Sequence, residues 1–305
     1  MIDTIPCMTA RIAQATETAP LGSPSALILQ APRLWVRQVL TSARRSEMLL
    51  TIDIGNTNIT FGLYEGETLG PRWRIRTIPE KTADEYGILM AQLFHHERCE
   101  VEEIDGVSMA SVVPPLTPVF REACETYVGQ TPLVVDTGVR TGVRIRYDNP
   151  RDVGADRVVD AAAVQALYGV PACVVDFGTA TTFDAVSADG DYLGGAIAPG
   201  IGIAAQALFE RTAKLPRVEL ARPPAAIGRN TPHSIQSGLL YGYVGLVEGM
   251  VARFRAELGP EMKVIATGGL APIVAAETDM IEVVDPWLTL AGLRLIWEMN
   301  QGSET

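Results

Sequence analysis

The chain has 305 residues, enough for two modest domains or one large one. Its 47% apolar and 20% charged content is that of a folded globular protein, not a disordered one. A net charge of −11 excludes a general nucleic-acid binder, which needs clustered Lys and Arg, but leaves nucleotide binding through backbone amides and metal ions open.

The first 47 residues carry isolated basic residues (Arg11, Arg33, Arg37, Arg44, Arg45), few acids and no apolar signal core. Leu27 to Leu40 fits a short amphipathic helix. The segment reads as an N-terminal extension, disordered or produced by a misassigned start, with Met48 as the natural first residue. An organellar targeting peptide is the alternative. No apolar run reaches the ~18 residues needed to span a membrane. Cys7, Cys99, Cys124 and Cys173 form no CxxC pair, and with His95, His96 and His233 they suggest neither a zinc site nor a disulfide framework. Scattered unpaired cysteines point to a reducing cytoplasm.

From Met48 the pattern becomes regular. Leu49 to Ile54 predicts a buried strand ended by Gly55, Ile59 to Tyr64 a second with a turn at Glu65-Gly66-Glu67, and Arg72 to Thr77 a third. Ala83 to His96 has helical spacing, with Tyr86, Leu89, Met90 and Leu93 on one face. Gly106 to Val113 is a strand stopped by Pro114-Pro115, Pro118 to Val128 a helix, and Leu133 to Asp136 a strand. A turn-rich stretch from Tyr147 to Arg157 leads into an alanine-rich helix, Val158 to Leu167. Ala172 to Asp176 is again a buried strand, ended by Gly178. Beyond it lie Gly194-Gly195, Pro199-Gly200, a helix from Ile203 to Lys214 and an irregular excursion from Pro216 to Thr231. A long helix, Ser234 to Leu258, contains Gly238, Gly242, Gly245 and Gly249, which weaken it unless close packing requires them. A strand Lys263 to Thr267, the pair Gly268-Gly269 and a last helix from Pro286 to Met299 complete an α/β alternation.

The chain repeats itself. Thr51-Ile52-Asp53-Ile54-Gly55-Asn56-Thr57-Asn58 is echoed by Val174-Val175-Asp176-Phe177-Gly178-Thr179-Ala180-Thr181, Asp176 following Asp53 by 123 residues. Each copy is an apolar strand, an Asp, a Gly and small polar residues, then a second strand. Two related lobes facing one another across a cleft follow, 48–158 and 159–305. A carboxylate at each strand end can hold a cation directly or through water. The Gly and small polar residues let backbone amides approach phosphate oxygens, with Asn56, Thr57, Asn58, Thr60, Thr179, Thr181 and Thr182 as further donors. A pair of tight hairpins with Asp as turn former is the structural alternative. No GxxxxGK[ST] loop is present, and Asp176-Phe177-Gly178 lacks the rest of a protein-kinase set.

Asp156 opens a helix after Gly154-Ala155. It is either an N-cap or a general base for an attacking hydroxyl. Arg157 beside it either pairs with a substrate carboxylate or with Asp160 or Asp152. Val264 to Ala271 is a strand meeting two glycines, suited to an adenine or a phosphate, or a plain strand-to-helix turn.

With Asp53 to Asn58, Gly154-Ala155-Asp156-Arg157, Asp176 to Thr182 and Gly228-Arg229-Asn230-Thr231 in this order, residues 48 to about 300 resemble type III pantothenate kinases, of the acetate and sugar kinase, heat-shock chaperone and actin superfamily. The resemblance implies duplicated actin-like (ribonuclease H-like) lobes around a central nucleotide cleft. It implies an ATP phosphate loop from Asp53 through Ile54, Gly55, Asn56, Thr57, Asn58 and Ile59 to Thr60, with Thr179 also on ATP. Tyr147, Gly154, Ala155, Asp156, Arg157 and Thr231 would bind pantothenate, Asp156 as proton acceptor. Asp176 would bind a monovalent cation, K+ or NH4+, and Mg2+ would accompany ATP. The resemblance further implies a homodimer that completes the pocket across its interface. Neither nucleic acid nor membrane is an expected partner. A kinase of another small alcohol, and an ATP-binding regulator without turnover, are the competing readings.

Overall fold

Residues 47–301, which a computed structural model describes, build two five-stranded sheets with the same strand order. Apart from Glu47, the N-terminal extension, with Cys7 and the helix expected at 27–40, lies outside the described residues. The first sheet contains β1 (Met48–Ile54), β2 (Asn58–Glu65), β3 (Thr68–Arg76), β4 (Gly106–Ser111) and β5 (Leu133–Val134), ordered β3-β2-β1-β4-β5. The second contains β6 (Ala172–Phe177), β7 (Ala180–Val186), β8 (Tyr192–Pro199), β9 (Lys263–Thr267) and β10 (Val283–Val284), ordered β8-β7-β6-β9-β10. In each, an antiparallel three-stranded meander is extended by two parallel strands. These are the two related lobes that the internal repeat predicts.

Both faces of β1 are covered, which is why it reads as a nearly continuous apolar run. Leu50, Ile52 and Ile54 point with Ile59 and Phe61 into a core closed by α1 (Ala83–His96), through Tyr86, Met90 and Phe94, and by α2 (Leu116–Ala123), through Leu116 and Phe120. Leu49 and Tyr64 lie on the other face, against Val159 and Ala162 of α3 (Ala155–Leu167) and Leu290, Leu293 and Ile296 of α7 (Leu288–Gln301). The helix that closes the second half of the sequence therefore packs on the first sheet. Helix α3 also presents Ala161, Ala163 and Val164 to Val174 and Ile265 of the second sheet. Its alanines let it fit between two sheets. Gly292 of α7 approaches so closely that a Cβ there would collide with the backbone of Val159.

The second sheet's other face is covered by α4 (Ile201–Glu210), α5 (Thr231–Leu258) and α6 (Ala271–Ala275), with Val175, Phe177, Phe183, Val247 and Val251 in the core. Helix α5 begins three residues earlier than its apolar spacing predicts, because the Asn230 side chain accepts a hydrogen bond from the His233 amide at 2.8 Å and caps it. Among the described residues a Cβ on Gly238, Gly242 or Gly245 would meet nothing within 4 Å, so packing among them does not account for these glycines.

Other elements depart from the sequence expectation for local reasons. The helix expected at 118–128 is α-helical only to Ala123 and continues as a π turn, Cys124–Val128, closed by Gly129 at φ 73°. Strand β8 was hidden by Gly194-Gly195, since glycine is depleted in strands. It is a strand because Gly195 lies against the Phe183 backbone, where any Cβ would clash. Among the described residues Cys99, Cys124 and Cys173 are free thiols, and no helix is long and apolar enough to cross a membrane.

The packing predicts that Leu293→Ala, a truncation at a fully buried site joining α3, α7 and the first sheet, costs about 2–5 kcal/mol of unfolding free energy in urea titration. A loss under about 1 kcal/mol would show that α7 is not integral to the first lobe.

Candidate active site

The two strand-turn-strand units meet at their tips. In the first sheet Asp53 lies directly opposite Thr60, and the turn is closed by the Gly55 amide donating to the Asn58 carbonyl at 3.0 Å. In the second, Asp176 lies opposite Thr182 through a turn one residue shorter. The Oγ1 atoms of Thr57 and Thr179 are 2.7 Å apart, so the turns are joined by a hydrogen bond across the lobes. Behind this contact is a cavity of about 650 Å³. Asp53, Asp156 and Asp176 all line it, with Gly55, Asn56, Thr57, Asn58, Thr60 and Thr179. Ile54 and Ile59 do not: both are fully buried in the core beneath the turn, where only their backbone groups could serve a ligand.

The cavity concentrates negative charge. Burial, then the charges of Asp156 and Asp176, push the Asp53 carboxyl up to about 8. Burial, then Asp156 and Asp184, push Asp176 up to about 7. Asp156 is also raised, chiefly by burial, against the lowering effect of the Arg157 amide. One turn further along α3, Asp160 is 4% exposed with Oδ1 unpartnered, and its carboxyl is held well above the usual range by burial and by Asp176.

Glycines leave room for these carboxylates. Gly268, at φ +88°, could not carry a Cβ without striking Asp176 Oδ1, and a Cβ on Gly178 would stand 3.1 Å from Asp176 Oδ2. Such a cradle of unpartnered carboxylate and glycine backbone fits a cation. Among the described residues no three His, Cys, Asp or Glu side chains converge as a metal cage. A cation here would therefore take much of its coordination from phosphate, backbone or water.

Asp156 does not cap α3. Gly154 occupies the cap position with no side-chain bond, and Asp156, in the first turn, accepts from the Arg157 amide at 2.8 Å. Any Cβ at Gly154 would crowd Asp156 Oδ1 at 2.5 Å. Arg157 turns to the second sheet, its Nε donating to Asp184 Oδ1 at 2.6 Å. It pairs with neither Asp160 nor Asp152. Asp184, 1% exposed, also accepts from the Tyr192 hydroxyl at 2.8 Å and the Thr182 hydroxyl at 2.9 Å. Tyr147 stands beside this group, its ring 6.4 Å from that of Tyr192. Thr231 lies elsewhere: with Arg229 and Asn230 it lines a separate cavity of about 800 Å³ between α4 and α5.

Sequence reasoning missed Asp184, Asp160, Arg74 and Thr289. Period-two alternation from Thr182 places Asp184 on the same face of β7, a legible signal. Helical spacing from Asp156 does the same for Asp160. Arg74 and Thr289, which line the cavity, come from β3 and from the start of α7, and only the tertiary fold brings them there.

This arrangement has relatives. Residues 49–253 match the family model described as type III pantothenate kinase. A type III pantothenate kinase of Moorella thermoacetica is 56% identical over 253 residues, covering 83% of this chain and all of that protein. The chain belongs to the type III pantothenate kinase family. Another member, from Myxococcus xanthus, is 54% identical over 256 residues, covering 84% of this chain and all of that one. A solved structure from Campylobacter jejuni, named for the Baf family of transcriptional activators, superposes with a TM-score of 0.51 at 20% identity, over 83% of this chain and 98% of that one. At that identity it speaks for the fold alone.

The raised carboxyls give a pH dependence. Between the ordinary Asp value of 3.8 and the folded values of about 7 and about 8, the fold keeps protons that the unfolded chain has released. The stabilisation from Asp176 and Asp53 is thus complete below about 3.8 and is lost as pH rises through about 7 and about 8. In ligand-free protein, the thermal midpoint of Asp176→Asn relative to the unsubstituted chain rises between about pH 5 and pH 8.5. A difference that stays constant or shrinks over that range contradicts the electrostatic description.

Proposed function

We propose that the protein transfers the γ-phosphoryl group of ATP to the hydroxyl of pantothenate, giving phosphopantothenate in the first step of coenzyme A biosynthesis. The observation that carries this reading is the convergence of Asp53, Asp156 and Asp176 on one cavity between duplicated lobes. The family supplies the substrate.

In this reading the triphosphate lies along the Asp53-to-Thr60 turn. Its oxygens meet backbone amides and the side chains of Asn56, Thr57, Asn58 and Thr179. The first-sheet carboxylate Asp53 would hold the Mg2+ that accompanies ATP, and Asp176 a monovalent cation, K+ or NH4+. These ions supply neutralisation of phosphate charge. Asp156 takes the hydroxyl proton as general base. Burial raises its carboxyl above the ordinary Asp value, which makes it a stronger base than an exposed carboxylate. Phosphoryl transfer needs little covalent help, so positioning and electrostatics provide most of the acceleration.

Pantothenate also carries a carboxylate, and an acidic protein needs a local cation to receive it. Arg157, held by Asp184 over the Tyr192 ring, is that group, with Tyr147 alongside and the Gly154-Ala155 backbone below. Thr231 serves the pocket from a second copy of the chain. The homodimer packs on the second lobe, where Ile197 is 67% exposed and the Gly238, Gly242 and Gly245 face of α5 is open. The enzyme works in the cytoplasm, on small molecules.

A coupled assay of pantothenate-dependent ADP release, with Mg2+ and with or without K+, checks the reading. Turnover is expected with pantothenate and not with other small alcohols, and Asp156→Asn lowers kcat by about 10²–10⁴ while the fold persists. Unchanged turnover in that variant removes Asp156 from its role. No turnover in the unsubstituted protein favours an ATP-binding regulator.

A further inference from the structure

We propose that Arg74 contacts the phosphoryl group in transit and stabilises its charge in the transition state. The inference rests on the phosphotransferase reading and adds a residue to it. Asp53 on β1 is directly opposite Thr60 on β2, and Thr60 is directly opposite Arg74 on β3. Directly paired residues share a face of a sheet. Asp53, Thr60 and Arg74 therefore form a polar row across three strands, and all three line the cavity. Among the described residues lining that cavity, Arg74 is the one basic side chain.

Arg74 is exposed and makes no ion pair with a described residue, so its guanidinium is available. It reaches across the cleft. Nη1 would stand 3.1 Å from a Cβ placed on Gly269, in the turn after β9 of the opposite sheet. The guanidinium thus spans the space between the lobes, near enough to Asp53 and Asp176 to oppose the rise of both carboxyls.

The duplication sharpens the point. In the second sheet the equivalent row runs Asp176, Thr182, Ile197. Asp and Thr are repeated, but the third position is basic in one lobe and apolar in the other. A structural requirement of the repeat would bear on both lobes alike. A single transferring group needs one such cation. Its charge spreads over three equatorial oxygens, which a planar, multi-donor guanidinium matches better than an ammonium. In a cavity lined by three carboxylates, Arg74 adds a full positive charge to what the turn amides and metal ions supply.

The test uses the full chain with saturating Mg2+ and K+. Arg74→Gln is expected to lower kcat by about 10²–10³, with KM for ATP changed less than about tenfold. Arg74→Lys should fall between that and the unsubstituted enzyme, since it keeps the charge and loses the fork. Millimolar guanidinium should restore part of the activity of Arg74→Ala and none of that of Asp156→Asn. An unchanged thermal midpoint in Arg74→Gln excludes misfolding as the cause. A kcat within about threefold of normal, or a higher KM for ATP at normal kcat, overturns the proposal while leaving pantothenate phosphorylation standing. An inactive unsubstituted enzyme overturns both.

Discussion

Asp53 and Asp176 end equivalent strands of equivalent sheets and share one cavity, each without a hydrogen-bond donor from the described residues. Two carboxylates taken from water and set near each other favour their protonated forms. Ionising them at neutral pH requires a compensating positive charge. The rest of the site can be understood as the means of supplying it: amides at the glycine turns, cations that fit beside Gly178 and Gly268, and one arginine from the edge of the first sheet. In the proposed function nucleotide binding and cation binding are coupled, because neither carboxylate ionises readily without a positive charge beside it.

The placement of Asp156 depends on packing rather than on its neighbours in sequence. Helix α3 has one side against the first sheet and α7, and the other against the second sheet. Asp156, on its first turn, is thereby fixed relative to both lobes. Had α7 remained with the second sheet, α3 would have lost its partner on the first. Asp184, on the strand next to Asp176, then fixes Arg157 one residue beyond Asp156. The acceptor's hydroxyl and carboxylate would thus be read by adjacent residues of one helix turn.

Much of this was legible in the sequence. The repeated strand-Asp-Gly pattern predicted both lobes and both carboxylates, because a buried strand, a tight turn and an acid each have local signatures. Asp156 and Arg157 stood out after Gly154-Ala155, but the residues alone left a helix cap and a general base both open. Arg74 was not: Arg72, Arg74 and Arg76 alternate identically along β3, and only the pairing with Thr60 shows which one faces the cavity. Strand β8 was obscured by glycines that serve close approach to Phe183. The return of α7 to the first sheet carries no local mark, since an amphipathic helix does not encode which sheet it covers. The residues alone did not place Tyr147 beside Arg157, or Thr231 in another cavity; both depend on the tertiary fold.

If the raised carboxyls receive a cation-bearing triphosphate, binding must lower them. Carboxyl 13C NMR of Asp-labelled protein, titrated with and without a non-hydrolysable ATP analogue, Mg2+ and K+, measures this. Two aspartates are expected to titrate near 7 and 8 in the free protein and to move to the ordinary carboxylate range when the ligands bind. Titrations left unmoved by the ligands would mean that the charge in the cleft serves something else.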